Sequence, residues 1–126
     1  LIPMIGEGKI IFKAKRQLHK QLTSTAHKTD FYGYKAGAIN LPPQLTSDTL
    51  NLLLLEDPKL QVGIGYSLDL RTDTLHVSLR ARKEDKDVNV SAIAKRYGGG
   101  GHVSAAGFSL QSKDDICEFL FNLQQQ

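Results

Sequence analysis

The stretch GGGGHVSAAGF, residues 98–108, carries most of the information in this chain about its fold and its function. Its four consecutive glycines place no side chain between the backbone and an approaching molecule. They also allow positive φ angles, so that several N–H groups can converge on one anion. The histidine that closes the run can donate a hydrogen bond or carry a positive charge. The pattern predicts a phosphate-binding loop, with a plain turn as the alternative; its substrate-binding residues would be Gly98, Gly99, Gly100, Gly101 and His102.

This glycine run matches neither of the common phosphate-binding motifs. No Lys-Ser/Thr pair follows it, which excludes a P-loop. The apolar pattern before it predicts a short helix that ends at Gly98, whereas the dinucleotide fingerprint joins a strand to the N-terminus of a helix. The C-terminal end of a helix dipole is unfavourable for anions. Phosphate binding is therefore predicted to need positive side chains, and those available are His102, Arg80 and Arg82.

Residues 75–82 alternate between apolar and polar side chains, which is the period of a β-strand. One face carries Val77, Leu79 and Ala81, and the other carries His76, Ser78, Arg80 and Arg82. An arginine side chain presents a planar fork of donors that matches two phosphate oxygens. Ser78, Arg80 and Arg82 are therefore predicted to bind substrate. The alternative is an exposed sheet face with ordinary surface arginines.

The order of elements predicts the α/β class: a mixed β-sheet with flanking helices, in a single domain. A first helix carries Ile11, Ala14, Leu18 and Leu22 at helical spacing. A second helix is predicted to begin at a cap on Thr46 or Ser47 and to end at Pro58. Predicted strands cover residues 34–41, 60–68, 75–82 and 105–110, and a last helix opens at Ser112.

Composition and charge set limits on location and partners. The 126 residues are 40% apolar and 23% charged, with a net charge of +3, which is typical of one globular domain. The longest strongly apolar run, Leu52–Leu55, is too short for a membrane span. The single cysteine, Cys117, lies in an apolar helical pattern and is expected to be packed, which favours the cytoplasm or another reducing compartment. The basic residues of the first helix are interpreted as a solvated face.

No residue of the chain is predicted to be catalytic or to bind a metal. The histidines outside the glycine run, His19, His27 and His76, have no metal-ligand spacing with Asp, Glu or Cys. A covalent mechanism requires a nucleophile beside a base, and neither Ser78, Ser104 nor Cys117 has an identifiable partner.

Three segments, VSLRAR at 77–82, VNVSAIA at 88–94 and the glycine run through Phe108, resemble the DHH-associated domain in residues, order and intervals. This is the C-terminal substrate-binding domain of the DHH phosphoesterases, and the clear match covers residues 60–111. The resemblance implies that Arg80 contacts a substrate phosphate, that residues 99–101 let the substrate approach the backbone, and that His102 donates a hydrogen bond near the scissile group. Ala81 stands where the family often has serine, and alanine has no hydroxyl to contact the substrate.

The resemblance also implies a division of the chain and a set of partners. Residues 1–30 are assigned to a connector helix and residues 31–126 to the DHH-associated substrate-binding domain. Family members hold a manganese pair in an N-terminal DHH catalytic domain, whose Asp-His-His signature this sequence lacks. We expect that domain to be a partner, and a nucleotide or short single-stranded nucleic acid to be the substrate, with no membrane involved. The alternatives are a stand-alone nucleotide or RNA/tRNA-binding module without hydrolase activity, as at the C-terminus of alanyl-tRNA synthetases, and a structural docking module.

Overall fold

The computed structural model describes residues 2–124, with side chains from residue 13 onward. It contains four helices and six strands over that range, which confirms the predicted α/β class. The elements are α1 Ile2–Thr23, β1 His27–Phe31, β2 Tyr34–Asn40, α2 Pro43–Glu56, β3 Val62–Asp69, β4 Thr74–Ala81, α3 Val90–Arg96, β5 Gly100–His102, β6 Ala105–Leu110 and α4 Lys113–Gln124.

The six strands form one mixed sheet in the order β1-β2-β3-β4-β6-β5. The β2–β3 pair is parallel, and α2 is the crossover that connects these two strands. The other neighbouring pairs are antiparallel, including the predicted β3–β4 hairpin. The predicted mixed sheet is therefore confirmed.

Helix α2 packs closely against one face of the sheet because β2 and β3 present glycines there. A Cβ atom built on Gly65 would lie 2.9 Å from Cγ2 of Thr46, and one on Gly63 would lie 3.2 Å from Cβ of Leu50. This contact seals an apolar core beneath the helix, formed by Ile39, Leu41, Leu50, Leu53, Leu54 and Leu60. Helix α2 therefore covers β2 and β3 and leaves the same face of β4, β6 and β5 outside this core.

The opposite face of the sheet is covered by α3 and α4 over the larger core. Val77, Leu79 and Phe108 point into it from β4 and β6. The Phe108 ring stacks on Tyr97 with a centroid distance of 4.3 Å, and Phe119 of α4 meets both rings edge-on. The side chains that alternate with these core residues must therefore project from the face that α2 only partly covers.

Helix α2 begins at Pro43, about one turn before the predicted caps, so the prediction of Thr46 or Ser47 as the cap is wrong. Pro42 stands at the N-cap without a side-chain hydrogen bond, and Thr46 instead donates its hydroxyl to the carbonyl oxygen of Pro42 at 3.2 Å. A proline at the first helical position has a suitable φ angle and lacks only an N–H that would be unpaired there anyway. The preference of proline for the first helical position therefore sets the start of α2, in place of a side-chain cap.

Helix α1 buries a different face from the one predicted. Ala14 and Leu18 are exposed, whereas His19 and Thr23 are buried and Leu22 packs on the core under α2. The side chain of Ile11 lies outside the described residues. The helix ends at Thr23, and β1 begins at His27, so residues 1–30 are not a helix throughout. The proposed division of the chain at residue 30 stays a prediction.

Two expectations concern location. Cys117 is exposed and not packed, because the side of α4 that faces the core is occupied by Phe119 and Leu123. Between residues 2 and 124, no helix combines the length and the apolar character that crossing a membrane requires. The predicted reducing compartment stays a prediction.

Candidate substrate-binding site

The first half of the glycine run ends helix α3. Gly98 has a φ angle of +85°, and its N–H donates to the carbonyl oxygen of Lys95 at 3.1 Å. The N–H of Gly99 donates to the carbonyl oxygen of Ala94 at 2.9 Å. These two bonds form a Schellman motif, which satisfies the last carbonyls of the helix and requires a glycine at the left-handed position. The two N–H groups are therefore used within the chain.

The second half of the run is a strand and not a loop, which corrects the predicted conformation, whereas phosphate binding by the run stays a prediction. Gly100–His102 form β5, which pairs with β6 at the edge of the sheet. Close packing against β6 explains two of the glycines. A Cβ atom on Gly99 would lie 2.1 Å from the carbonyl oxygen of Gly107, and one on Gly101 would lie 2.5 Å from that of Ala105.

Gly100 differs from its neighbours, because a Cβ atom built there would meet nothing within 4 Å. It pairs with Gly107 on β6, which in turn pairs with Ser78 on β4. Directly paired residues of antiparallel strands point to the same side of a sheet. Gly100 and Gly107 thus form a surface without side chains beside Ser78.

The register of β4, β6 and β5 brings the other predicted residues into one row. Arg80 pairs with Ala105, and Ala105 pairs with His102. Two strand spacings separate the backbones of Arg80 and His102, about 10 Å, and their side chains share one side of the sheet. We call this surface, formed by Ser78, Arg80, Gly100, His102, Ala105 and Gly107, the site face.

Arg80 lies at the wall of a cavity between the site face and α2. Its Nη1 atom donates to the carbonyl oxygen of Leu79 at 2.9 Å, and within the described part of the chain it has no carboxylate partner. Partial burial lowers the pKa of its guanidinium, which remains charged at neutral pH. The cavity has a volume of about 500 Å³ and is lined from α2 by Ser47 and Asn51.

Arg82 lines the same cavity, but its guanidinium is engaged by the backbone. It donates to the carbonyl oxygens of Leu54, Asp57 and Leu60, the Asp57 contact measuring 3.0 Å. These acceptors lie at the C-terminal end of α2 and in the turn that follows. Arg82 therefore fastens α2 to the end of β4. Its predicted role as a substrate ligand stays a prediction.

His102 is exposed at the edge strand, and its ring makes no hydrogen bond to any other residue that the structure describes. Ser78 is half-buried between Gly65 of β3 and Gly107 of β6. Both side chains have room to contact a bound molecule. Of the predicted site residues, the site face thus unites Ser78, Arg80, Gly100 and His102, whereas Gly98, Gly99 and Gly101 have contacts within the fold.

The sequence did not predict which residues line the cavity together with Arg80. Ser47 and Asn51 are separated from Arg80 by more than 25 positions and reach the cavity only because α2 crosses over the sheet between two parallel strands. Ser104 lines the cavity from the turn before β6. Local sequence carries no signal for such a contact. The crossover rule for parallel strands would have been the only indication.

The described residues include no group of three or more His, Cys, Asp and Glu side chains that could hold a metal ion. The chemistry that this surface offers is recognition: a fixed guanidinium, an N–H donor from imidazole, a hydroxyl and a glycine surface. Such groups bind and orient an anion, but they do not generate a nucleophile.

Comparison with known proteins finds relatives in sequence and in fold. The bifunctional oligoribonuclease and PAP phosphatase NrnA of Mycoplasma pneumoniae is 40% identical over 47 residues, which cover 37% of this chain and 14% of that protein. The solved structure of a pGpG-specific phosphodiesterase, PggH of Vibrio cholerae, matches with a TM-score of 0.68 at 15% identity. The match covers 95% of this chain and 42% of that one.

A third similarity is to the C-Ala domain of alanyl-tRNA synthetase from Aquifex aeolicus. Its TM-score is 0.55 at 17% identity, and the match covers 77% of this chain and 96% of that domain. These two structural similarities establish a shared fold. The family model of the DHHA1 domain matches residues 56–126, a stretch that contains β4, the whole glycine run and the rest of the site face. The chain therefore belongs to the DHHA1 domain family.

Proposed function

We propose that this chain is the substrate-binding domain of a DHH-type phosphoesterase and that it holds a phosphate group of a nucleotide or short single-stranded nucleic acid. The observation that carries the proposal is the row that joins Arg80 to His102 across β6. A guanidinium without a carboxylate partner and an N–H donor on the same side of a sheet form a site for an oxyanion. Gly100, where a Cβ atom would meet nothing within 4 Å, leaves space for that oxyanion to approach the backbone.

The roles within the site follow from the surroundings of each side chain. Arg80 binds two phosphate oxygens, because it lines the cavity and its guanidinium has no carboxylate partner among the described residues. His102 donates to a further oxygen from the edge strand, and Ser78 supplies a hydroxyl beside the glycine surface. Arg82 contributes positive charge to the cavity while its donors hold α2, so we assign it a structural role.

The relatives support nucleotides as the substrate class. The names of NrnA and PggH describe action on oligoribonucleotides, on PAP and on pGpG. What these molecules share is a nucleoside phosphate, which matches a site that grips phosphate and leaves the base to other contacts. The chain spans less than half of the length of either relative, so hydrolysis itself is assigned to residues outside it.

Manganese belongs to the same proposal, in the catalytic domain that DHH phosphoesterases carry. The described residues of this chain offer no ligand set for it. A metal pair would activate water and stabilise charge on the phosphorus oxygens. The role of this chain in the proposal is to bind and orient the substrate.

A second candidate is a stand-alone RNA or tRNA-binding module without hydrolase activity. The observation in its favour is the fold shared with nearly the whole C-Ala domain of alanyl-tRNA synthetase. The two candidates differ in what they must recognise: a terminal phosphate on a short ligand, or the surface of a folded RNA.

An NMR titration of the 126-residue chain tests the proposal. We expect adenosine 5′-monophosphate to shift the signals of Ser78, Arg80, Gly100 and His102, with a dissociation constant on the order of 1 mM, about −4 kcal/mol. Unphosphorylated adenosine at the same concentration is the control. If the two ligands cause equal shifts, or if folded tRNA binds while the mononucleotide does not, the phosphate site is wrong.

A further inference from the structure

Helices α1 and α2 enclose a second groove, next to the cavity at Arg80. It has a volume of about 390 Å³, within the range of about 300–1,000 Å³ that small-molecule sites occupy. Lys15, Arg16 and His19 line it from α1, and Asp48 lines it from α2. Asn51 and Leu55 line both this groove and the cavity at Arg80. The two spaces therefore meet along one ridge of α2, where Leu55 is 75% exposed.

His19 is the unusual residue of this groove. Its side chain is 8% exposed, and its Nε2 atom is buried without a hydrogen-bond partner among the described residues. Its Nδ1 atom lies 2.7 Å from the hydroxyl oxygen of Thr49, a fully buried residue. No other acceptor for the Thr49 hydroxyl is found in the part of the chain that the structure describes. We therefore assign the hydroxyl as the donor to Nδ1, which places an N–H of the ring on Nε2.

The unpaired Nε2–H group requires an acceptor. The nearest carboxylate oxygen, Oδ2 of Asp48, is 3.8 Å away, beyond hydrogen-bond distance. A buried donor left without a partner is costly, so a group that accepts from Nε2 stabilises the groove. The Nζ atom of Lys15 lies 3.7 Å from Oδ2 of Asp48, and Arg16 adds a second positive charge, so the net positive charge of the groove favours an anion as the acceptor. Asp48 itself can accept from a hydroxyl or amino group of the same ligand.

We propose that the groove between α1 and α2 is a second phosphate subsite, which takes a further nucleotide of a single-stranded substrate whose first phosphate is bound at Arg80. This inference rests on the proposed function. The sugar-phosphate backbone of the substrate crosses α2 at Asn51 and Leu55, where the exposed leucine offers an apolar surface to a sugar or base. The next phosphate accepts from His19 Nε2 and lies near Lys15 and Arg16.

The test compares adenosine 5′-monophosphate with the phosphorylated trinucleotide pApApA by NMR titration of the 126-residue chain. We expect the mononucleotide to shift signals of the site face alone. The trinucleotide should also shift the Hε1 signal of His19 and the side-chain amide of Asn51. If the mononucleotide leaves the site face unchanged, the proposed function fails. If it shifts the site face while the trinucleotide leaves the groove unchanged, the second subsite alone is rejected.

A pair of exposed lysines on α1 provides a matched control. Lys15 lines the groove and Lys13 does not, and replacing either by glutamine removes the same charge. We expect K15Q to weaken trinucleotide binding about five-fold and to leave mononucleotide binding unchanged, since one charge-assisted contact is lost. For K15Q, the slope of log K against log salt should fall by about 0.7, the value for one phosphate contact on a single strand. Equal effects of K13Q and K15Q would overturn the proposal, because they would indicate nonspecific attraction to a basic helix.

Discussion

Arg80 and Arg82 show how the surroundings of a residue determine its role. Arg80 lies in β4 and Arg82 follows directly after the last residue of that strand, two positions later, so the alternation in the sequence alone cannot distinguish them. Arg82 meets the carbonyl oxygens at the end of α2, whereas Arg80 has one bond, to its neighbouring carbonyl. Only Arg80 retains donors that a phosphate can use in pairs.

Exchanging each arginine for alanine should therefore give opposite results. Arg80→Ala should weaken nucleotide binding about ten- to a hundredfold, the equivalent of the 1.5–3 kcal/mol of a charge-assisted bond, and should leave the melting temperature nearly unchanged. Arg82→Ala should lower the free energy of unfolding by about 1–3 kcal/mol, because three backbone carbonyls lose a donor. NMR titration and thermal melting of both variants measure the two effects. A large loss of stability in Arg80→Ala would mean that its side chain supports the fold.

At the scale of the element, the glycine run is a helix end followed by an edge strand. Gly98 supplies the left-handed residue of the Schellman motif, and Gly99 and Gly101 leave room for β6. Three of the four glycines thus have a structural reason, and Gly100 is the one with open space above it. The run positions β5 so that His102 joins the row of Arg80.

Two alanine variants of neighbouring glycines separate packing from binding. Gly99→Ala should destabilise the chain by about 1–3 kcal/mol or more, because its Cβ atom would press on the backbone of Gly107. Gly100→Ala should leave the melting temperature within a few degrees of the parent and should weaken nucleotide binding, since the methyl group stands on the site face. Thermal melting and titration with adenosine 5′-monophosphate provide the measurements. Unchanged binding in Gly100→Ala would show that the ligand does not approach this strand.

The elements that the sequence predicted well are those whose signal is local. The alternation of residues 60–68 and 75–82 corresponds to β3 and β4, and the cap at Ser112 corresponds to the start of α4. The family resemblance also pointed to Arg80 and His102. Strand β5 could not be predicted, because Gly100–His102 is extended only through its pairing with β6, and glycine has no strand propensity of its own. The hydrogen bonds of Arg82 could not be predicted for a similar reason, because the carbonyl oxygens that accept them lie far away in the sequence, at the end of α2 and in the turn that follows.

At the scale of the whole molecule, the proposed binding surface is open on the sides that α2 does not cover. The site face lies at the edge of the sheet, and α2 covers only one side of it. A surface of this shape contacts one side of a ligand and leaves the opposite side free for a second domain. On the proposed function, we expect weak affinity in isolation and stronger affinity in the presence of a catalytic domain.

The same arrangement predicts that the purified 126-residue chain does not hydrolyse a phosphodiester, even with manganese added. Two-metal hydrolysis requires ions that activate water and clamp the phosphorus oxygens, and the described residues hold no cluster of ligands for them. The measurement is the release of nitrophenol from bis(p-nitrophenyl) phosphate, with and without chelator. Activity that disappears both with chelator and in Arg80→Ala would contradict the prediction, since it would belong to this chain and require metal ligands within it.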